Sequence, residues 1–252
     1  MKLGRFCLKE KCFFGLLDGQ RVQEVEDIST PYTKTGEVYA LQDLTILPPC
    51  LPSKIVGVGL NYLDHIKEMN VQRPKQPVLF MKPNTTIIGS EESIEYPSVS
   101  KQVEYEGELA IIIGSPCHHV SLQEARHCIL GYTCANDVTA RDLQQSDGQW
   151  TRAKGFNTFL PLGPYIETGI HHEGLEIKSF VNQDKKKHGN TSNLVFSVPE
   201  LVCFISSIMS LYPGDVILTG TPAGVGPILP GDMVEIEIDG IGKLRNKVIL
   251  AR

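Results

Sequence analysis

Residues 103–113, VEYEGELAIII, place three carboxylates directly before a run of apolar side chains. In a β-strand, alternate residues share a face, so Glu104, Glu106 and Glu108 are expected to lie on one side. Residues 109–113 are apolar on both faces, which is typical of a strand buried on both sides. A chain with this segment must therefore bring acidic groups to the edge of a core.

Carboxylates that enter a core repel one another and lose hydration, so their pKa values rise unless something compensates. A hard divalent cation would do so, because such ions prefer oxygen ligands. Gly107 leaves space between the carboxylates for close approach. The alternative is an exposed strand edge guarded by acidic residues. Asp137, which follows the predicted strand over 132–135, is either a third ligand or a turn residue.

Composition excludes several functional classes. The chain has 252 residues and a formal net charge of −5, which argues against a general nucleic-acid binder. We read no signal peptide and no apolar run near the ~18 residues of a membrane span, and we expect a cytoplasmic protein without membrane association. The seven cysteines are odd in number and scattered, which favours free thiols over a disulfide framework.

Strand-like segments outnumber helical ones, which predicts a mixed α/β, β-dominant fold with peripheral short helices. Capping-box patterns at Ser121–Glu124 and Ser197–Glu200 predict one helix to about Leu130 and another through Met209. The proline-rich residues 47–52 suggest a boundary. We predict a small N-terminal β domain, 1–50, and a second domain, 51–252.

Two further groups are candidates for chemistry. His65 and Glu68 are three residues apart on a predicted helix, and they form either an oriented base or an ordinary surface pair. Lys82 and Lys154 would either hold a carboxylate substrate or lie at the surface. The basic run at residues 185–190 is expected to be a solvated hairpin tip, and the alternative is an anion-binding site.

Six segments together resemble the fumarylacetoacetate hydrolase family. They occur in order between about residues 54 and 248: GVGLNYLDHIKEM, PVLFMKPNTTIIG, EYEGELAIIIG, GYTCANDVTARDLQ, WTRAKGFNTFLPLGP and GDVILTGTPAGVGPILPGD. No single segment is decisive, but six in order are a specific pattern. The first fifty residues resemble the small extra domain of many prokaryotic members.

The resemblance implies a rolled β-sandwich, usually a homodimer, with Mg²⁺ or Mn²⁺ in the site and Ca²⁺ as a substitute in crystals. It carries the family's functional residues onto nine positions of this chain: Glu106, Glu108 and Asp137 as metal ligands; His65 and Glu68 as a catalytic dyad, with Lys154 and Gln144 as further catalytic residues; and Arg141 and Thr221 near the substrate.

The reaction implied by the resemblance is metal-dependent hydrolysis of a C–C bond in a 2,4-dioxo acid of the acylpyruvate type, as in aromatic catabolism. His65, oriented by Glu68, would activate the attacking water. Isomerisation of a 2-hydroxyhepta-2,4-diene-1,7-dioate or decarboxylation of oxaloacetate are alternatives on the same site. A non-catalytic metal-binding protein is a remote alternative.

Overall fold

Strands dominate the structure, a computed structural model that describes residues 1–28 and 32–251. Strands account for 45% and helices for 17%, which confirms the β-dominant prediction. The strands, β1 to β20 in order, are Lys2–Leu8, Lys11–Asp18, Arg21–Val25, Lys34–Ala40, Thr45–Leu47, Ile55–Gly59, Val78–Lys82, Ile87–Ile88, Ser93–Tyr96, Val103–Tyr105, Gly107–Ile113, Ile129–Asn136, Thr139–Ala140, Leu160–Glu167, Glu176–Val181, Asp184–Asn190, Val216–Leu218, Gly226–Pro227, Met233–Ile238 and Gly242–Leu250.

Most strands belong to one large open sheet of 12 strands. Along its main path the order is β4-β3-β2-β1-β14-β12-β11-β17-β6-β7. The central strand β11 pairs antiparallel with β12 and β17, and every residue from Gly107 to Ile113 is buried. The apolar run therefore forms a strand covered on both faces, as its composition predicted.

A five-stranded sheet, β16-β15-β19-β20-β9, packs against the large sheet, and a three-stranded sheet, β13-β10-β18, lies beside it. The alternating pattern of β19 buries Val234, Ile236 and Ile238 in the largest apolar cluster, which also contains Leu109 and Ile111 of β11. The core thus lies between two packed sheets, which is the predicted fumarylacetoacetate-hydrolase-like sandwich.

Five short α-helices, α1 to α5, lie at the periphery of the described residues: Leu63–Glu68, Leu122–His127, Arg141–Asp147, Thr151–Lys154 and Val198–Ser206. Both predicted capping boxes form, at Ser121 and at Ser197. Helix α2 ends at His127 rather than at about Leu130, because Ile129 already begins β12 and pairs with β11. Tertiary pairing therefore overrides the local helical pattern.

The N-terminal strands extend the large sheet, because β1 pairs with β14 as well as with β2. The β1–β2 hairpin places Cys7 opposite Cys12, and the two form a disulfide. The prediction of free thiols was wrong for this pair, since cross-strand pairing brings its Cα atoms within 4.1 Å. The described helices include none long and apolar enough to cross a membrane.

Asp215, just before β17, fastens the proline-rich segment to the sheet. Its buried carboxylate accepts hydrogen bonds from Ser53, from both nitrogens of Lys54 and from the backbone N–H of Tyr212, at 2.6–3.0 Å. Burial alone would raise the pKa of Asp215, but these donors outweigh burial and hold the pKa below its ordinary value.

Asp215→Asn is expected to lower the free energy of unfolding at pH 7 by about 2–3 kcal/mol, because a charged acceptor of several buried donors is lost. A depressed pKa contributes stability above the unfolded value of about 3.9, and this contribution disappears as pH falls through the folded value. In urea unfolding, the difference in free energy of unfolding between the wild type and the variant should therefore be smaller at pH 3 than at pH 7. Asp184→Asn, whose side chain is 76% exposed, is the control. Equal stability of the two variants at pH 7 would contradict this account.

Candidate metal centre and active site

A break in the predicted acidic strand creates the site. The strand expected over residues 103–113 is divided at Glu106 into β10 and β11, which belong to different sheets. At the break, the Glu106 backbone N–H donates to the Asn136 side chain, and the Asp137 N–H donates to the Glu106 carbonyl. These bonds hold the end of β12 at the break, which places Asp137 beside Glu106 and Glu108.

Three carboxylates meet there. One oxygen each from Glu106, Glu108 and Asp137 lies within 4.8 Å of the others, and all three residues are buried. This is the set that the resemblance implied as ligands. Glu104 is not a member of the cluster.

Two cations neutralise Glu106. Its Oε1 accepts from the Arg141 guanidinium, and its Oε2 lies 2.8 Å from the Lys154 ammonium. Burial by itself would raise the pKa of Glu106, but Lys154 and Arg141 outweigh burial and hold the pKa well below its usual range. Glu106 is therefore ionised without any bound ion.

Glu108 has a different environment. Its Oε2 accepts one hydrogen bond, from the Gly220 backbone N–H at 2.7 Å, and no cation of the described chain lies within ion-pair distance. Burial raises its pKa well above the ordinary value, and the neighbouring charges of Asp137 and Glu106 raise it further. A buried carboxylate without a counter-ion, beside two other carboxylates, fits a hard divalent cation.

Asp137 is held between two lysines. Its Oδ1 lies 2.7 Å from the Lys82 ammonium, and its Oδ2 lies 2.6 Å from that of Lys154. Burial lowers the pKa of Lys82, while the Asp137 carboxylate opposes that shift. The sequence predicts that Lys82 either holds a carboxylate substrate or lies at the surface. In the structure, β7 directs its side chain into the interior, where the ammonium contacts Asp137.

His65 and Glu68 form the expected pair on α1, with 2.9 Å between His65 Nδ1 and Glu68 Oε2. His65 is buried and lines the same cavity as the carboxylates. The second oxygen of Glu68 accepts from the Gly224 backbone N–H at 3.0 Å, which fixes the carboxylate behind the imidazole. A histidine held at Nδ1 in this way presents Nε2 to the cavity as a base or an acid.

Arg141, which the resemblance places near the substrate, hydrogen-bonds three side chains of the protein. Its Nε lies 2.8 Å from Glu104, a second guanidinium nitrogen contacts Glu106, and a third contacts the Gln144 side chain. The neighbouring carboxylate of Asp142 is not a partner of Arg141, and it accepts from the Ser100 hydroxyl and the Lys101 backbone N–H. The Glu106 and Glu104 carboxylates outweigh burial and raise the pKa of Arg141.

Thr221 lies beside the triad, where its hydroxyl donates at 2.9 Å to the carbonyl of Gly107, the residue between Glu106 and Glu108. The same oxygen accepts from the ammonium of Lys187. The prediction that residues 185–190 form a solvated hairpin tip was wrong. The tip is at Asn182 and Gln183, and β16 carries Lys187 into the interior, where it is 2% exposed. Only the pairing of β16 with β15 could have revealed this.

These groups surround one cavity of about 240 Å³. The lining contains all the predicted site residues except Glu68, which hydrogen-bonds His65: His65, Glu106, Glu108, Asp137, Arg141, Gln144, Lys154 and Thr221. It also contains the apolar side chains of Val58, Leu60, Met69, Val71, Phe80 and Trp150. The cavity therefore offers both charged groups and apolar surface to a small ligand.

Comparison with known families agrees with this geometry. Residues 54–249 match the family model described as Fumarylacetoacetate (FAA) hydrolase C-terminal, and residues 1–49 match the one described as Rv2993c-like, N-terminal. The chain belongs to the fumarylacetoacetate hydrolase family, as its six segments indicated.

Individual relatives are enzymes of several kinds. The chain is 40% identical to human oxaloacetate tautomerase FAHD2A, mitochondrial, over 82% of this chain and 70% of the relative. It is 44% identical to the solved 5-carboxymethyl-2-hydroxymuconate delta-isomerase from Mycobacterium smegmatis, with TM-score 0.94 and full coverage of both chains. A third similarity is to maleylpyruvate hydrolase from Sphingobium sp. SYK-6, solved with manganese (II) ion and pyruvate, at 27% identity, TM-score 0.82 and full coverage of both.

Glu108→Gln is expected to weaken Mn²⁺ binding at least about a hundredfold, because a neutral amide replaces the carboxylate that lacks a cation in the protein. Isothermal titration calorimetry measures this directly and independently of turnover. Glu104→Gln is the matched control. Glu104 is buried, as Glu108 is, but it contacts Arg141 and lies outside the triad. Similar losses in both variants would show that general acidity, rather than the triad, binds the ion.

Proposed function

We propose that the protein catalyses proton transfer at the carbon next to the 2-oxo group of a small 2-oxo acid, interconverting its keto and enol forms. The observation that carries this proposal is the position of the His65–Glu68 dyad on the same cavity as the buried carboxylate triad. Oxaloacetate is the first substrate to test, because the curated tautomerases are 40% identical to this chain.

The triad would hold Mg²⁺ or Mn²⁺, and the bound ion would supply Lewis-acid polarisation of a carbonyl oxygen. In the keto-to-enol direction, His65 Nε2 removes a proton from carbon 3 of the substrate. Glu68, hydrogen-bonded to Nδ1, stabilises the imidazolium that forms. The electron pair of the broken C–H bond moves to the 2-oxo oxygen, which is protonated as the enol.

Lys154 is the proposed proton donor to the 2-oxo oxygen of the substrate. Gln144 also lines the cavity. Asp137 and Glu106 outweigh burial and raise the pKa of Lys154, so its ammonium keeps its proton at neutral pH. Its contacts with these two carboxylates also fix its position, which lowers the cost of orienting it for each turnover.

Hydrolysis of a C–C bond in an acylpyruvate is the second candidate function, and the same dyad supports it. His65 would then take a proton from water, and the resulting hydroxide would attack the distal carbonyl. The bond between carbons 3 and 4 would break, leaving pyruvate and a carboxylic acid. The similarity to maleylpyruvate hydrolase favours keeping this candidate.

The direct test follows the enol absorbance of oxaloacetate with Mg²⁺ or Mn²⁺ and again after addition of EDTA, with acetylpyruvate in parallel. Metal-dependent acceleration of oxaloacetate ketonisation, without loss of acetylpyruvate, is the expected result. Cleavage of acetylpyruvate alone would select the hydrolase, and inactivity on both would overturn the proposal.

His65→Asn should lower the rate of tautomerisation about 10²–10⁴-fold, since the base at carbon is removed. Mn²⁺ affinity should stay within threefold of the wild type, because His65 is not among the proposed ligands. His127→Asn, at an exposed position on α2, controls for general effects of removing a histidine. A His65 variant that tautomerises oxaloacetate at the wild-type rate would exclude the role of the dyad.

A further inference from the structure

Lys187 is a buried cation that the proposed reaction does not use. Its side chain, carried inwards by β16, is 2% exposed, and its ammonium donates to the Thr221 hydroxyl. Burial lowers the pKa of Lys187 to about 8, while the charges of Glu106 and Glu108, among others, oppose that shift. The side chain is therefore still mostly protonated at neutral pH.

The other three buried cations of the site are committed to carboxylates. Lys82 contacts Asp137, Lys154 contacts Glu106 and Asp137, and Arg141 contacts Glu104 and Glu106. Lys187, by contrast, has no carboxylate within 4.0 Å in the described part of the chain. Burying an ammonium is costly unless an anion or several acceptors compensate. In the described chain the Lys187 ammonium donates to a single hydroxyl, so this position has capacity for an anion.

Thr221 connects this charge to the cavity. Its hydroxyl lines the cavity, accepts from Lys187 and donates to the Gly107 carbonyl. A threonine hydroxyl has one proton, and that proton can be redirected from Gly107 to a ligand oxygen while the bond from Lys187 is kept. A hydroxyl that accepts from an ammonium is polarised and becomes a stronger donor.

The remaining walls are unsuited to a second anion. Among the described lining residues, the apolar side chains, with Phe80 and Trp150 packed edge to face, offer a carboxylate no side-chain donor except the indole N–H of Trp150. Arg141 and Lys154, the cations that line the cavity, are already paired. A second carboxylate on the substrate would therefore be accommodated best at Thr221.

We propose that Lys187, acting through Thr221, binds the second anionic group of the substrate, so that the site selects 2-oxo dicarboxylates over 2-oxo acids with an uncharged distal end. This inference rests on the proposed function, in which the 2-oxo group of the substrate lies at the triad. Lys187 is a positioning and specificity-determining residue here, because it reaches the ligand through another side chain.

The test compares two ligands that differ by one charge: oxaloacetate and 2-oxosuccinamate, in which a carboxamide replaces the distal carboxylate. Their dissociation constants are measured by calorimetry in the presence of Mn²⁺, so the result does not depend on turnover. The wild type is expected to prefer oxaloacetate about tenfold. Lys187→Met and Lys187→Gln should reduce the preference to about twofold or less.

The glutamine variant separates charge from hydrogen bonding, since its amide can still donate to Thr221. If Lys187→Gln keeps the tenfold preference, Lys187 only orients Thr221, and the proposal is overturned. Thr221→Val should reproduce the loss, and adding it to Lys187→Gln should reduce the preference no further. Lys185→Met, exposed on the same strand, should retain the wild-type preference.

Two other outcomes are informative. A wild-type protein that binds both ligands equally would overturn the proposal even if it tautomerises oxaloacetate. Preference for oxaloacetate with no tautomerisation would reject the proposed function and support the assignment of Lys187. Unchanged Mn²⁺ affinity in the Lys187 variants verifies that the triad is intact.

Discussion

The site depends on the burial of like charges beside one another. Glu104, Glu106, Glu108 and Asp137 could not be ionised together in an apolar interior without compensation. Lys82, Lys154 and Arg141 supply it from three different elements, and each contacts at least one of these carboxylates. Glu108 is left without a cation, which makes it the carboxylate whose ionisation depends most strongly on a bound ion.

One loop, residues 219–226, connects the separate parts of the cavity. Gly220 donates to Glu108, Gly224 donates to Glu68, and Thr221 receives the ammonium of Lys187. The backbone N–H groups of this loop therefore hold Glu108 and Glu68 in place, while the Thr221 hydroxyl lines the cavity.

Tautomerisation, isomerisation and C–C hydrolysis all begin with the same requirement, which is to stabilise negative charge on the oxygen of a 2-oxo acid while a base acts nearby. The relatives of this chain carry names from all three classes. The shared triad and dyad cannot distinguish these reactions. The difference must come from other groups in or behind the cavity wall, such as Lys187 behind Thr221 and the apolar side chains that include Trp150.

The sequence by itself determined the elements whose patterns are local. The capping boxes of α2 and α5 and the apolar run of β11 depend on neighbours in the chain, and all three were predicted. The resemblance supplied the nine site residues, and eight of them line one cavity.

Only the tertiary structure decided which charges meet. Lys82 and Lys187 lie far in sequence from the residues they contact, and nothing in their own segments indicates which side chains they meet. Lys187 is in a basic run that is typical of an exposed turn, but the register of β16 against β15 turns it inwards. The Cys7–Cys12 disulfide and the strand break at Glu106 likewise follow from pairing between strands. Local sequence specifies which way a segment alternates, whereas the partners of a buried charge are set by how distant segments pack.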